Sequence, residues 1–306
     1  MITNLDGPSE LFLADMGRIQ RRIADASRQV SSGKRILTPS DAPDVIEPLL
    51  ELRAGLKRNA QIRSNLALAK TEASSADSAL TTAVKLMDRA RTLAAQGANS
   101  TLDAAGRQSL AQEIASLQDQ MVACSNTAVQ GRFLFSGDQS DSPAYRVDLT
   151  ADNGAAQVST ADATRQIEHP AGGSFAAAKT ARDIFDPRNL DGSCATDNVF
   201  AALNGLRLAL VDNDRDAVAA SATSLQQASA RLGAAQAFYG TVQGRIQDAQ
   251  SYADALDTRL QTELGQKEDA DVAAAATELT QANTQLQAAF QMKAGLPTKS
   301  LFDYLA

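Results

Sequence analysis

The residues able to do conventional chemistry are few and scattered. His169 is the only histidine, and Cys124 and Cys194 are the only thiols. A zinc site would need these donors at ligand spacing, and a nucleophile or general base would need a partner held beside it; neither arrangement is present. His169 stands next to Pro170 in a loop-like stretch and reads as an ordinary surface residue. Cys124 falls on an apolar helical stripe and reads as a small core residue. Two cysteines are too few for a disulfide framework. Glu268, Asp269 and Asp271 gather carboxylates, but a calcium loop needs a glycine and regular oxygen spacing, so they read as a capped, solvated helix start. Gly172-Gly173 is not followed by the Lys-Ser/Thr of a phosphate cradle and reads as a turn. The expectation is a chain that is not an enzyme, with no catalytic residue, no cofactor and no metal.

What remains is the chemistry of apolar association, and the elements that would present it are long helices. From Leu225 to Leu260 the apolar positions are Leu225, Ala228, Leu232, Ala235, Tyr239, Val242, Ile246, Ala249, Ala253, Leu256 and Leu260, stepping by three and four throughout. A seam of that period stays on one stripe of a helix and demands partner helices. After Gly265 the alternation is expected to resume in a second helix, as Val272, Ala275, Leu279, Ala282, Leu286 and Ala289, until Gly295 and Pro297 stop it.

Composition agrees. There is no Trp, aromatics are 4%, and the eight prolines leave residues 49–142 and 188–296 free of the strongest helix breaker. A net charge of -7 argues against a nucleic-acid partner. No run of about 18 apolar residues exists, and the start MITNLDGPSE lacks the regions of a cleaved signal peptide, so no membrane insertion is expected.

Along the chain, Phe12, Met16, Ile19, Ile23, Ala26 and Val30 form a seam that ends at Gly33, followed by a structured loop with Pro39 and Pro43. One helix of roughly 70 Å is expected from Pro48 to Gly97. A third seam runs Leu110, Ile114, Leu117, Met121, Cys124 and Ala128 and should fold back as an antiparallel hairpin. Gly131–Gly137 suits a strand. Turn signals at Asp152-Asn-Gly154 and Gly172-Gly173, with extended candidates at 145–149 and 165–168, mark a small β-rich insertion. Helical pattern returns at Val199, Leu203, Leu206 and Leu210.

The fold class that follows is mainly α: a long coiled-coil helical bundle formed by both chain ends, with a small β-rich central insertion. Three domains are expected: residues 1–40 with 265–306 as a terminal coiled coil, 41–137 with 196–264 as the long-helix bundle, and 138–195 as a small outer domain. The alanine-rich terminal seams bury little per residue, so they should become well ordered only when neighbouring subunits cover them.

Several segments resemble the flagellin family. They are Val30-Ser-Ser-Gly-Lys-Arg-Ile36 followed by Pro39-Ser-Asp-Ala-Pro43, the segment Gly131-Arg-Phe-Leu-Phe-Ser-Gly137, the C-terminal stretches Lys267–Leu279 and Leu286–Phe290, and the ending Ser300-Leu-Phe-Asp-Tyr-Leu305. The Pro-Ser-Asp-x-Pro form and the ending are closer to the family's hook–filament junction members than to its filament members. The resemblance implies a structural subunit of the bacterial flagellum, secreted by the flagellar type III route with the help of an export chaperone. It would assemble as a ring and join hook to filament, between flagellin and a neighbouring hook-associated protein. Its assembly interface would be the terminal coiled coil, with Met16, Ile19, Ile23, Val30, Val272, Leu279, Leu286 and Phe290. The alternatives are a flagellin filament subunit and, from another class, a soluble coiled-coil signalling or tethering protein; the latter gives no reason for the insertion or for the matched ends.

Overall fold

The computed structural model describes residues 7–161 and 163–295. Pro297 and the Ser300–Leu305 motif lie outside the described residues. The chain is mainly α, and it divides into two compact units, Asn59–Ala255 and the two terminal stretches Met1–Arg58 with Leu256–Ala306. The helices, in chain order, are α1 (Gly7–Ser32), α2 (Ile46–Gly97), α3 (Ala104–Ser125), α4 (Ala181–Phe185), α5 (Val199–Val211), α6 (Arg215–Glu268) and α7 (Val272–Gly295). At about 1.5 Å per residue, α2 and α6 are each close to 80 Å long.

In the central unit the expected seams are the buried ones. Leu66, Ala69, Ala73, Ala76, Leu80, Ala83, Met87, Ala90 and Ala94 of α2 are all enclosed, as are Leu225 through Ala253 on α6. The two helices run antiparallel. Asn59 Nδ2 donates to the Ala253 carbonyl at 2.8 Å, and Gln236 Nε2 donates to Thr81 Oγ1 at 2.8 Å. α3 returns along α2, tied by Arg89 to Glu113 at 2.6 Å, and α5 packs on α3. Gly97 ends α2 in close contact with α5, since a Cβ there would stand 2.5 Å from Leu210 Cδ2 and that buried side chain would have to shift. Arg107 clamps that turn: Nε donates to the Gly97 carbonyl at 2.9 Å, Nη2 to the Asn99 carbonyl at 3.1 Å and Nη1 to Asn213 Oδ1 at 2.6 Å.

Helix α3 stops at Ser125, so Ala128 belongs not to its seam but to a short hairpin of β1 (Ala128–Val129) with β2 (Arg132–Phe133). Gln130 and Gly131, both at positive φ, make the tight turn. The expected strand across 131–137 is thus only two residues long, and Phe135 leaves it to enter the core.

The insertion contains two further hairpins, β3 (Tyr145–Val147) with β4 (Ala155–Gln157) and β5 (Gln166–Glu168) with β6 (Ser174–Ala176). They turn at the glycine signals legible in the sequence, and each sheet has only two strands. Two-stranded ribbons are marginal alone. These are held by packing: Tyr145, Ile167, Ile184 and Phe185 share one apolar cluster with α2, α3, α5 and α6. Phe185 stacks on Phe200 at 5.7 Å and meets Phe135 edge-on at 5.9 Å, so the scarce aromatics concentrate where insertion meets helices.

Asp186 is the polar centre of that junction. Its carboxylate is enclosed and accepts from Tyr145 Oη at 3.0 Å, Asn153 Nδ2 at 2.8 Å, Asn198 Nδ2 at 2.7 Å and Arg188 Nε at 3.2 Å. Asn198 also caps α5 by accepting from the Ala201 amide. Burial first, and then the Asp186 charge, push the Tyr145 hydroxyl well above the usual phenol range, so it remains a donor.

Candidate assembly interface

The terminal unit is built from the two ends of the sequence. α1 ends at Ser32, with Gly33 at φ +69° as the left-handed stop. A turn of 3-10 helix at Pro39–Asp41 follows, fixed by Asp41 Oδ2, which accepts from the amides of Leu37 at 2.9 Å and Thr38 at 2.7 Å. These contacts hold the Asp41 carboxyl below the ordinary carboxylate range. Ile36, Ala42 and Leu49 then form a small apolar cluster with Val45, Ile46 and Leu264.

The expected helix break at Gly265 is displaced. α6 runs through Gly265 to Glu268, and α7 begins at Val272, where Asp271 Oδ1 accepts from the Ala274 amide at 3.0 Å. One helical glycine costs only about 1 kcal/mol. What stops the helix is pairing with the α1 exit loop: Ala270 N donates to the Gly33 carbonyl at 2.9 Å, and Arg35 N donates to the Glu268 carbonyl at 2.7 Å. Glu268 is therefore not a solvated helix-start residue. Its side chain is 3% exposed and lies against Lys34 Nζ at 2.5 Å and Arg53 Nη2 at 2.9 Å. Burial alone would raise its pKa, but the two cations hold the carboxyl below its ordinary value. Asp269 and Asp271 are exposed at the turn, and among the described residues no group of three His, Cys, Asp or Glu could hold a metal.

α1 and α7 lie side by side and antiparallel. Arg22 Nε meets Glu278 Oε1 at 2.6 Å, Arg22 Nη1 donates to Gln285 Oε1 at 2.8 Å, and Lys293 Nζ sits over the Phe12 ring at 5.3 Å. The Arg22 guanidinium holds Glu278 below its ordinary range, and Glu278 raises Arg22. Among the described residues the pair encloses Met16, Ala26, Ala275 and Ala282. Of the interface residues expected from sequence, Met16 is buried, Ile19, Ile23, Val30, Leu279 and Leu286 are half-buried, and Val272 and Phe290 are exposed, at 45% and 54%. Met16 and Ile19 line an open groove with Phe12, Ala288, Ala289 and Met292. Leu11, Leu13 and Met292 add exposed apolar surface, at 70%, 67% and 72%. Arg22, Glu278 and Glu268 were not singled out as contacts. The signal for the first two was available, because charges flanking a 3-4 seam commonly pair across it; nothing local marks Glu268.

The remaining reactive groups stay apart. Cys124 is buried on α3 and Cys194 half-buried, both as free thiols. Burial, followed by the Asp152 carboxylate that accepts its Sγ–H, pushes Cys194 up to about 11. The His169 ring leans on Tyr252 at 5.7 Å, and its Nδ1 accepts from the Ala171 amide. Among the described residues no helix is long and apolar enough to cross a membrane.

Two terminal helical regions that find each other across the whole chain define a class of protein, and the comparisons name it. The bacterial flagellin N-terminal helical region matches residues 7–140, and the bacterial flagellin C-terminal helical region matches residues 218–305. The chain belongs to the flagellin family. It is similar to flagellar hook-associated protein 3 of Escherichia coli K12, at 28% identity over 203 residues, a match spanning 63% of this chain and 63% of that relative. Solved structures share the fold. A putative flagellar hook-associated protein from Vibrio parahaemolyticus aligns with a TM-score of 0.64 at 23% identity, covering 75% of this chain and 100% of that one. Xanthomonas campestris FlgL aligns with a TM-score of 0.56 at 17% identity, covering 68% and 99%.

Proposed function

We propose that this chain is a structural subunit of the bacterial flagellum that joins hook to filament, polymerising through α1 and α7. The observation that supports this most is the terminal unit itself. The outer parts of both family regions form one antiparallel helix pair that, among the described residues, encloses four side chains and leaves Phe290, Met292, Leu11 and Leu13 uncovered. Apolar surface of that kind on a narrow two-helix pair is what neighbouring subunits would bury. The similarity to hook-associated protein 3 favours the junction over the filament. In this reading the subunits form a ring, contact flagellin on one side and a hook-associated protein on the other, and leave the cell by the flagellar type III route with an export chaperone. The role is mechanical, and the chain catalyses nothing. The terminal helices gain further burial when neighbours cover them.

Deleting the gene tests the reading. The expected strain makes hooks, carries no filaments and releases flagellin into the medium, and the full chain supplied in trans restores filaments. A deletion strain with normal filaments would overturn the proposal, and one lacking flagellin everywhere would favour the filament-subunit alternative.

A further inference from the structure

The terminal unit is assembled from segments more than two hundred residues apart, and its helix pair encloses mostly alanine, so that pairing is weakly specified by its own seam. A β-type bridge joins Lys34 to Asp269, the Glu268 carbonyl receives the Arg35 and Ile36 amides, and Arg35 Nη2 donates to the Lys267 carbonyl at 2.8 Å. One enclosed carboxylate sits inside this junction, between a cation from the loop after α1 and a cation from the first turns of α2. We propose that Glu268 is a latch, a positioning residue whose contacts with Lys34 and Arg53 set the register in which α1 and α7 leave the long helices and so present the assembly surface as a pair.

The physical case rests on geometry and on asymmetry of cost. The backbone links at 33–36 and 268–270 are short and lie at a helix break, where exposed hydrogen bonds fray readily. An ion pair at the surface would add little, but here the Glu268 carboxylate is 3% exposed while Lys34 and Arg53 keep 47% and 52% of their exposure, so the enclosed charge depends on two cations that reach it from the surface. Arg53 reaches in from α2 and Lys34 from the loop, so the same carboxylate ties together the exit of α1, the start of α2 and the end of α6. The neighbouring cluster of Ile36, Leu49 and Leu264 packs the apolar side of the junction. Among the described residues, the side-chain links that join α1 to α7 beside their small buried seam are the exposed Arg22 contacts with Glu278 and Gln285 and the Lys293 cation over the half-buried Phe12 ring.

The test uses the isolated full-length chain, so it is independent of the flagellar reading. Cys124 and Cys194 are replaced by serine, and Arg22→Cys with Glu278→Cys place thiols on opposed positions of α1 and α7. Disulfide formation with diamide is timed in this background and with Glu268→Ala, Glu268→Gln or Lys34→Ala added. Glu268→Ala is expected to slow cross-linking about tenfold, as local opening makes the pair's encounters rarer, and Glu268→Gln should recover part of the rate because it keeps the side-chain shape and a polar oxygen between the two cations. Amide exchange at Arg35, Ile36 and Ala270 should accelerate in the same order. Protection along α3 and α5 should be unchanged, which separates a lost latch from a failure to fold. Equal cross-linking rates in all variants, or loss of protection throughout the chain with Glu268→Ala, would overturn the proposal.

Discussion

The Tyr145 hydroxyl donates to Asp186 Oδ2 across 3.0 Å, with both side chains enclosed, and this bond fastens a hairpin of the insertion to the segment that leads into α5. Asp186 also accepts from Asn153, Asn198 and Arg188, so its removal would orphan several buried donors at once. Asp186→Ala is expected to lower stability by about 3–5 kcal/mol, and Tyr145→Phe by about 1–2 kcal/mol. Urea unfolding of both variants checks the order. Equal losses would mean that Asp186 does not organise the junction.

Arg107 makes three separate donations to two turns, which a lysine cannot reproduce because its single ammonium lacks the planar fork. Arg107→Lys should cost about 1–3 kcal/mol and raise amide exchange at Asn99 and Asn213. An unchanged denaturation midpoint would assign the turns to Gly97 alone.

Leu232 is fully enclosed on α6 while Arg245 faces solvent. Leu232→Asp buries a charge with no partner and should cost more than about 4 kcal/mol, whereas Arg245→Asp should stay within about 0.5 kcal/mol. Thermal melts of the two variants decide it, and similar midpoints would place the seam on another face.

Glu268 predicts a pH dependence. Burial raises its pKa, Lys34 from the loop and Arg53 from α2 lower it, Lys267 and Asp269 flank it in sequence, and the net position is below the ordinary 4.5. A depressed carboxyl contributes stability that is fully present above the unfolded value and is lost as pH falls through the folded one. Protection of the Arg35 and Ile36 amides, corrected for intrinsic exchange, should hold from neutral pH to about 4.5 and fall below it. Glu268→Gln should flatten that fall; the same acid response in Glu268→Gln would point to another group.

Ile23 is half-buried on α1, on the stripe proposed for assembly. Ile23→Asp should leave the central unit folded and the subunit exported, yet cells should carry few filaments and spill flagellin. One desolvated charge per subunit is repeated around a closed ring, so a modest local penalty multiplies. Normal filament counts with no flagellin in the medium would remove α1 from the assembly surface.

Helix identity and facing were legible in the sequence because periodicity is a property of neighbouring residues: the 3-4 steps from Leu225 to Ala253 already state which stripe is buried. The hairpin turns at Gly154 and Gly173 were legible for the same local reason, as positions that adopt positive φ. Where α6 ends was not legible. Gly265 looked like the stop, yet the break falls at Asp269–Asp271, because Gly33 and Arg35, far away in sequence, supply the competing hydrogen bonds. Glu268 and Asp186 likewise carry no local signal, since a carboxylate's role depends on which cations and amides folding brings to it. The α1–α7 stripe was readable as a surface in need of partners, but only the tertiary structure decided that Ala26, Ala275 and Ala282 close it while Val272 and Phe290 stay open. Small residues let two helix backbones approach, and that approach leaves the larger side chains at the edges, where other chains can reach them.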